Sequence, residues 1–193
     1  LEFLPDDDVL AERQANGKGL TRPELAVLTA YGKMVLKDQL LDDAIMADPF
    51  HARSLINAFP KPLQEHYAAA MENHPLRAQI IATRLANNIV NDMGPNFVFR
   101  KAETTGVSEA EVASAYVIAR ECFNLRGLME QIEAGNNQFP AEVQNNMLFQ
   151  LRRVVRRATR WFLRHRTPGL VTIQDHLDFY RESFDELRKN VLN

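Results

Sequence analysis

The sequence predicts an all-α fold, an irregular, orthogonal bundle of about eight helices with no significant sheet. Three observations carry that expectation. Apolar residues recur every three or four positions, the repeat that places them on one side of a 3.6-residue helix. Eight of the nine prolines, all but Pro168, stand at or near a plausible helix start, where the missing N–H costs little. Period-two alternation is nearly absent. Only Phe97-Val98-Phe99 and Leu170-Val171-Thr172-Ile173 offer short strands, and both are too brief to build a sheet.

The elements follow in order. Asp6-Asp7-Asp8 supplies the negative charge that a helix N-terminus favours. Neighbours on a helix do not face one point, so the run makes a poor metal site. Gly17-Lys18-Gly19 is the best flexible link. Thr21-Arg22-Pro23-Glu24 is a capping box with proline in the first turn, opening a helix through Leu25, Leu28, Tyr31, Val35 and Leu36 to about Leu41. Pro49 opens a shorter helix to Phe59, and Pro62 another through Tyr67 and Met71. Pro75 opens a helix that Gly94 closes. Ser108-Glu109-Ala110-Glu111 is a second capping box, leading through Val112, Tyr116, Ala119 and Phe123 to Gly127. Pro140 opens the longest element, to about Arg166, roughly 40 Å at 1.5 Å per residue. A last helix runs from about Thr172 to Lys189. The expected organisation is one helical domain over 1–193, with 1–18 and 168–193 as peripheral arms. A start at Leu1 and a charged helical end without a stop signal read as a piece of a longer protein.

A chain of 193 residues can bury roughly 70% of its unfolded surface. Its net charge of −2 predicts no general attraction to nucleic acid or to anionic lipid. No apolar run approaches the ~20 residues of a membrane span. Cys122 is the only cysteine, so no internal disulfide forms, which fits a reducing, cytoplasmic setting. It lies among Ile118, Ala119 and Phe123, where a buried, inert thiol is expected. No G-x-G-x-x-G or G-x-x-x-x-G-K-[ST] occurs, so there is no phosphate cradle for a nucleotide. His51, His66, His74, His165 and His176 never pair at i, i+4 around a carboxylate, and one cysteine cannot hold zinc. No catalytic, cofactor-binding or metal residue is assigned.

Two surfaces stand out instead. In the Pro75 helix, Ala82, Leu85, Ala86, Ile89, Val90 and Met93 share one side, while Arg77, Arg84, Asn87, Asn88 and Asn91 take the other. Asparagine is a poor helix former whose amide competes for backbone bonds. Its repetition there reads either as a specific contact face or as a solvated one. The second surface is Arg152, Arg153, Arg156, Arg157, Arg160, Arg164 and Arg166 around Trp161. Seven positive charges and no acid lie between Gln150 and Arg166 in a chain of net charge −2, which leaves −9 for the remainder. Salt bridges within the chain, to Asp175, Asp178, Glu182, Asp185 and Glu186 on the next helix, or between subunits, are therefore favoured over nucleic acid or lipid. Ala102, Gly106 and Val112 have helix-turn-helix spacing. The would-be recognition helix begins Ser108-Glu109-Ala110-Glu111, which turns carboxylates toward phosphates.

Four segments carry a resemblance: Gly19-Leu-Thr-Arg-Pro-Glu-Leu-Ala-Val-Leu-Thr-Ala-Tyr-Gly-Lys33, Ile80-Ile-Ala-Thr-Arg-Leu-Ala-Asn-Asn-Ile-Val-Asn91, Gly94-Pro-Asn-Phe-Val-Phe-Arg100 and Ala158-Thr-Arg-Trp161. In that order they resemble the helical region that follows the dehydrogenase core of the large bacterial NAD-specific glutamate dehydrogenases. The resemblance covers most of the chain and is weakest after about Pro168. It implies a parent that converts L-glutamate and NAD to 2-oxoglutarate, ammonia and NADH. It also implies that the catalytic and NAD-binding residues lie upstream, with no cofactor in this fragment. The expected partners are that upstream catalytic domain and further copies in a homo-oligomer, with no nucleic acid and no membrane. The candidate contact residues are Arg84, Asn87, Asn88 and Asn91 on the Pro75 helix. With them stand Arg100 and, from the arginine stripe, Arg153, Arg157 and Arg160. The rival readings are a helical nucleic-acid-binding regulator and a stand-alone helical adaptor.

Overall fold

The computed structural model describes residues 3–41, 44–136, 138–165 and 167–192. Among them are ten α-helices and no strand. They are α1 (Asp7–Ala15), α2 (Arg22–Leu41), α3 (Phe50–Ile56), α4 (Lys61–Glu72), α5 (Arg77–Met93), α6 (Phe97–Thr105), α7 (Glu109–Cys122), α8 (Leu125–Ala134), α9 (Ala141–Arg164) and α10 (Ile173–Leu192). A 3₁₀ turn, Ala44–Ala47, precedes α3.

Both expected capping boxes form. The Thr21 N–H donates to Glu24 Oε2 at 2.7 Å, and the Glu24 N–H reaches back to Thr21 Oγ1 at 3.5 Å. The same carboxylate accepts from Arg13 at 2.8 Å, tying α1 to α2. Ser108 and Glu111 cap α7 reciprocally. A third box opens α10 with aspartate in place of glutamate. The Thr172 N–H donates to Asp175 Oδ2 at 2.9 Å, and the Asp175 N–H donates to Thr172 Oγ1 at 3.1 Å. Asp48 joins two helix starts, accepting from the N–H of Phe50 at 2.9 Å and of Ile173 at 2.8 Å.

Several expected boundaries move. The helix opened by Pro49 ends at Ile56 rather than Phe59. Phe97-Val98-Phe99 is the first turn of α6, not a strand, because Phe97 and Val98 bury their side chains on one helical face. The helix expected to run on to Gly127 breaks at Asn124, which takes the left-handed conformation at φ 48°. Asparagine tolerates that conformation better than most residues. Gly127 does not end a helix. It lies inside α8, where a Cβ would meet Asn124 Nδ2 at 2.5 Å, so its bareness makes room for the Asn124 side chain.

The core lies around α5 and α7. Helix α2 packs on α5, and Leu36 and Leu40 share the core with Ile81, Leu85 and Ile89; α9 packs on α7, and Val155 and Phe162 share it with Val112, Tyr116 and Ala119. Each large apolar side chain so buried contributes about 1.5–3 kcal/mol. An edge-to-face aromatic cluster fastens α10: Phe123–Phe184 at 4.8 Å, Phe162–Tyr180 at 5.3 Å and Trp161–Tyr180 at 5.8 Å. Gly32 in α2 lets Pro95 approach to 3.0 Å of where a Cβ would stand, which fixes the α5–α6 turn against α2. By contrast, α1 buries none of its residues.

Candidate functional site

The polar side of α5 divides into three. Arg77 turns inward, its guanidinium donating to the Met46 carbonyl at 2.7 Å. Arg84 and Asn88, one turn apart, line a cavity of about 330 Å³ with Arg120, Asn124, Arg126 and Glu130. Asn87 is half-buried and Asn91 exposed, and neither borders that cavity. Among the described residues, the side chains of Asn87, Asn88 and Asn91 make no hydrogen bond to the protein. Arg84 Nε is shielded from solvent and likewise has no partner. The asparagine face is thus not used to cap or brace its own fold. An unmade bond at a shielded donor costs about 1–3 kcal/mol, which a docked acceptor would recover.

The wall beneath Arg84 and Asn88 is firm. The buried Tyr116 hydroxyl donates to Asp92. Burial first, and then the Asp92 charge, hold its phenol far above the ordinary tyrosine range. Arg120 sits 5.8 Å from the centre of the Tyr116 ring and pairs with Glu121 at 2.6 Å. These groups form a bracing network. Among the described residues there is no cluster of three metal-ligating side chains.

On α9, the expected pairing with Asp175, Asp178, Glu182 and Glu186 of α10 does not form among the described residues. Among the described residues, Arg152, Arg153, Arg156, Arg157, Arg160 and Arg164 make no ion pair; Arg166 lies outside them. The acids of α10 have nearer uses: Asp175 caps its own helix, and Asp178 pairs with Arg181 at 2.5 Å. Arg153, Arg157 and Arg160 are exposed. Arg153 lies over the Phe149 ring at 5.9 Å, and Arg156 donates to the Met93 carbonyl at 3.3 Å. That bond brings α9 to the α5–α6 turn, where Arg156 shares a cavity wall with Arg100 and Lys101. Arg100 therefore joins the arginine stripe and stands apart from the Arg84–Asn88 cavity.

The sequence reading missed a third face of α9. Val143, Met147, Val154 and Trp161, spaced by four, seven and seven residues, fall on one stripe and are each 40–45% exposed. Leu25, Leu28, Met34 and Val35 of α2 are also exposed, three of them from the apolar repeat that marked this helix in the sequence. Apolar side chains gathered on one face of a long helix mark a contact surface more often than scattered ones do.

Comparison with known proteins places these surfaces in context. A family model described as "Glutamate dehydrogenase, C-terminal" matches residues 17–193. A protein named NAD-specific glutamate dehydrogenase from Halomonas elongata is 44% identical over 99% of this chain, and one from Pseudomonas aeruginosa is 46% identical over 93%. A namesake from Mycobacterium tuberculosis is 34% identical over 88%. The matched regions make up 12%, 11% and 10% of those relatives, so the chain spans about a tenth of their length.

Proposed function

The chain belongs to the C-terminal glutamate dehydrogenase family, and from that premise we propose that it is the docking domain of a much longer enzyme. The parent oxidises L-glutamate with NAD and water to 2-oxoglutarate, ammonium and NADH. Hydride transfer takes place on upstream residues, where NAD binds. The chain packs as one helical unit on that upstream part, in a cytoplasmic homo-oligomer, and contributes assembly rather than chemistry. Arg84, Asn87, Asn88 and Asn91 on α5, and Arg153, Arg157 and Arg160 on α9, belong to the contact surfaces.

One observation carries this reading: α9 exposes a stripe of Val143, Met147, Val154 and Trp161 beside arginines that find no acid among the described residues. An apolar strip bordered by guanidinium groups has the composition of an interface, where aromatic residues, Met and Arg are enriched. The test is to assay the 193-residue chain alone with glutamate and NAD, then add it to the separately expressed remainder of the parent. The chain alone is expected to form no NADH and to bind the remainder. Turnover by the chain alone would contradict the proposal.

A further inference from the structure

We propose that the cavity between the α5–α6 turn and α9 is a binding site for a compact phosphate polyanion, such as a diphosphate group. The cavity measures about 340 Å³ and is bordered by Asn96, Phe97, Arg100, Lys101, Thr104 and Arg156, with no acid on its wall. That volume lies at the small end of the range for small-molecule sites, roughly 300–1,000 Å³. It suits a metabolite-sized anion.

The charge argument is independent of the volume. Lys101 is half-buried, and its ammonium is pushed below the ordinary lysine range, first by burial and then by Arg160, Arg156 and Arg164. Three cations from two helices, Arg100, Lys101 and Arg156, therefore meet on a wall that carries no acid, with Arg160 and Arg164 close enough to act on Lys101. Like charges held side by side repel, and a multivalent anion among them offsets that repulsion with an attraction to each. Guanidinium groups bind phosphate oxygens through paired N–H donors, and lysine adds a point charge. The backbone adds to this, because the first turn of α6 has no side-chain cap and Asn96 and Phe97 border the cavity. The start of that nine-residue helix thus borders the same space.

The wall is held in place. Gly94 turns the chain at φ 93°, Pro95 is seated against Gly32, and Arg156 is anchored on the Met93 carbonyl at 3.3 Å. An anion would meet a largely preformed set of donors.

The probe is pyrophosphate, titrated calorimetrically into the 193-residue chain, with sulfate at matched ionic strength as the control. A saturable single site that sulfate does not reproduce is expected. Arg156→Gln and Lys101→Gln should each weaken it about tenfold, the loss of one charged contact. Arg153→Gln, a change on the same helix but off the cavity wall, should leave it intact. If Lys101→Gln disturbs the fold by circular dichroism, the exposed Arg100→Gln replaces it. Heats equal to those of sulfate, or unchanged affinity in Arg156→Gln, would overturn the proposal. So would duplex DNA or an acidic polypeptide binding that pyrophosphate does not displace. Pyrophosphate binding is read on the chain alone, so its failure is separable from a failure of docking.

Discussion

Helices α7 and α9 pack against each other, yet they are built in opposite ways. Nine of the fourteen residues of α7 are buried, whereas α9 buries four of twenty-four. The reason lies in side-chain size and placement. Ala110, Ala113, Ala115 and Ala119 keep α7 slim, so α6, α9 and α10 can all approach it. On α9, one narrow face of Val155, Thr159, Phe162 and Leu163 meets the core. The other two carry arginines and an uncovered apolar stripe. Among the described residues α7 is closely packed, and α9 leaves an apolar stripe and several arginines uncovered. Mutations in α7 should therefore register in the chain alone, and mutations on the outer faces of α9 and α5 only when a partner is present.

The largest effect is expected from Tyr116→Ala. It opens a cavity at the centre of α7 and removes the hydroxyl that Asp92 accepts, and should cost about 3–5 kcal/mol in denaturant unfolding of the chain. A loss below about 1 kcal/mol would mean that α7 is not the core element described here. Next is acid sensitivity. His51 is buried, and that burial lowers its imidazole from 6.5; Asp48 opposes the shift, while Arg120 and Arg77 reinforce it. The folded chain therefore holds less proton on this ring than the unfolded chain does. The stability it contributes is present above about 6.5 and is lost as pH falls toward the depressed folded value. Thermal melts across that window should show the decline, with a shallower slope in His51→Gln. An identical slope in the variant would assign the decline to other groups.

Asn124→Ala probes the α7–α8 reversal. Alanine is strained at a left-handed φ, so a loss of about 1 kcal/mol is expected, with Asn124→Gly close to neutral. Equal losses in both would show that the Asn124 side chain, rather than its backbone, holds the reversal. The smallest effect on the chain should come from Asn87→Lys with Asn91→Glu. Surface changes of this kind stay within about 0.5 kcal/mol. In the intact parent enzyme, the same pair should weaken assembly, measured by native mass. An unchanged parent would reduce this part of α5 to a solvated face.

The helices that could be read in advance are those whose ends are written in local chemistry. Thr21 with Glu24, Ser108 with Glu111 and the prolines before α3, α4, α5 and α9 fix starts through bonds made within four residues. What could not be read depends on distant neighbours. Phe97-Val98-Phe99 has strand composition, and only burial against the rest of the chain makes it helical. The break at Asn124 needs Gly127 to leave space, a relation visible only once α8 has turned back. The same limit governed the surfaces. A 3.6-residue repeat shows that Leu25, Leu28, Val154 and Trp161 can lie on an apolar side, but not whether the chain has enough other helices to cover it. Nor does a count of acids show where they are spent: Asp175 and Asp178 serve α10 itself, and Arg153, Arg157 and Arg160 of α9 stay exposed. The cavity joining Arg100, Lys101 and Arg156 spans 57 positions of sequence and needed the fold to be seen.

Docking through α9 is tested most directly by measuring the affinity of the 193-residue chain for the separately expressed remainder of its parent. The comparison is between the unaltered chain and a Met147→Glu, Val154→Glu variant whose helical circular dichroism is unchanged. Binding by the unaltered chain and its loss in the variant is the expected result; equal binding by both would contradict a contact role for α9.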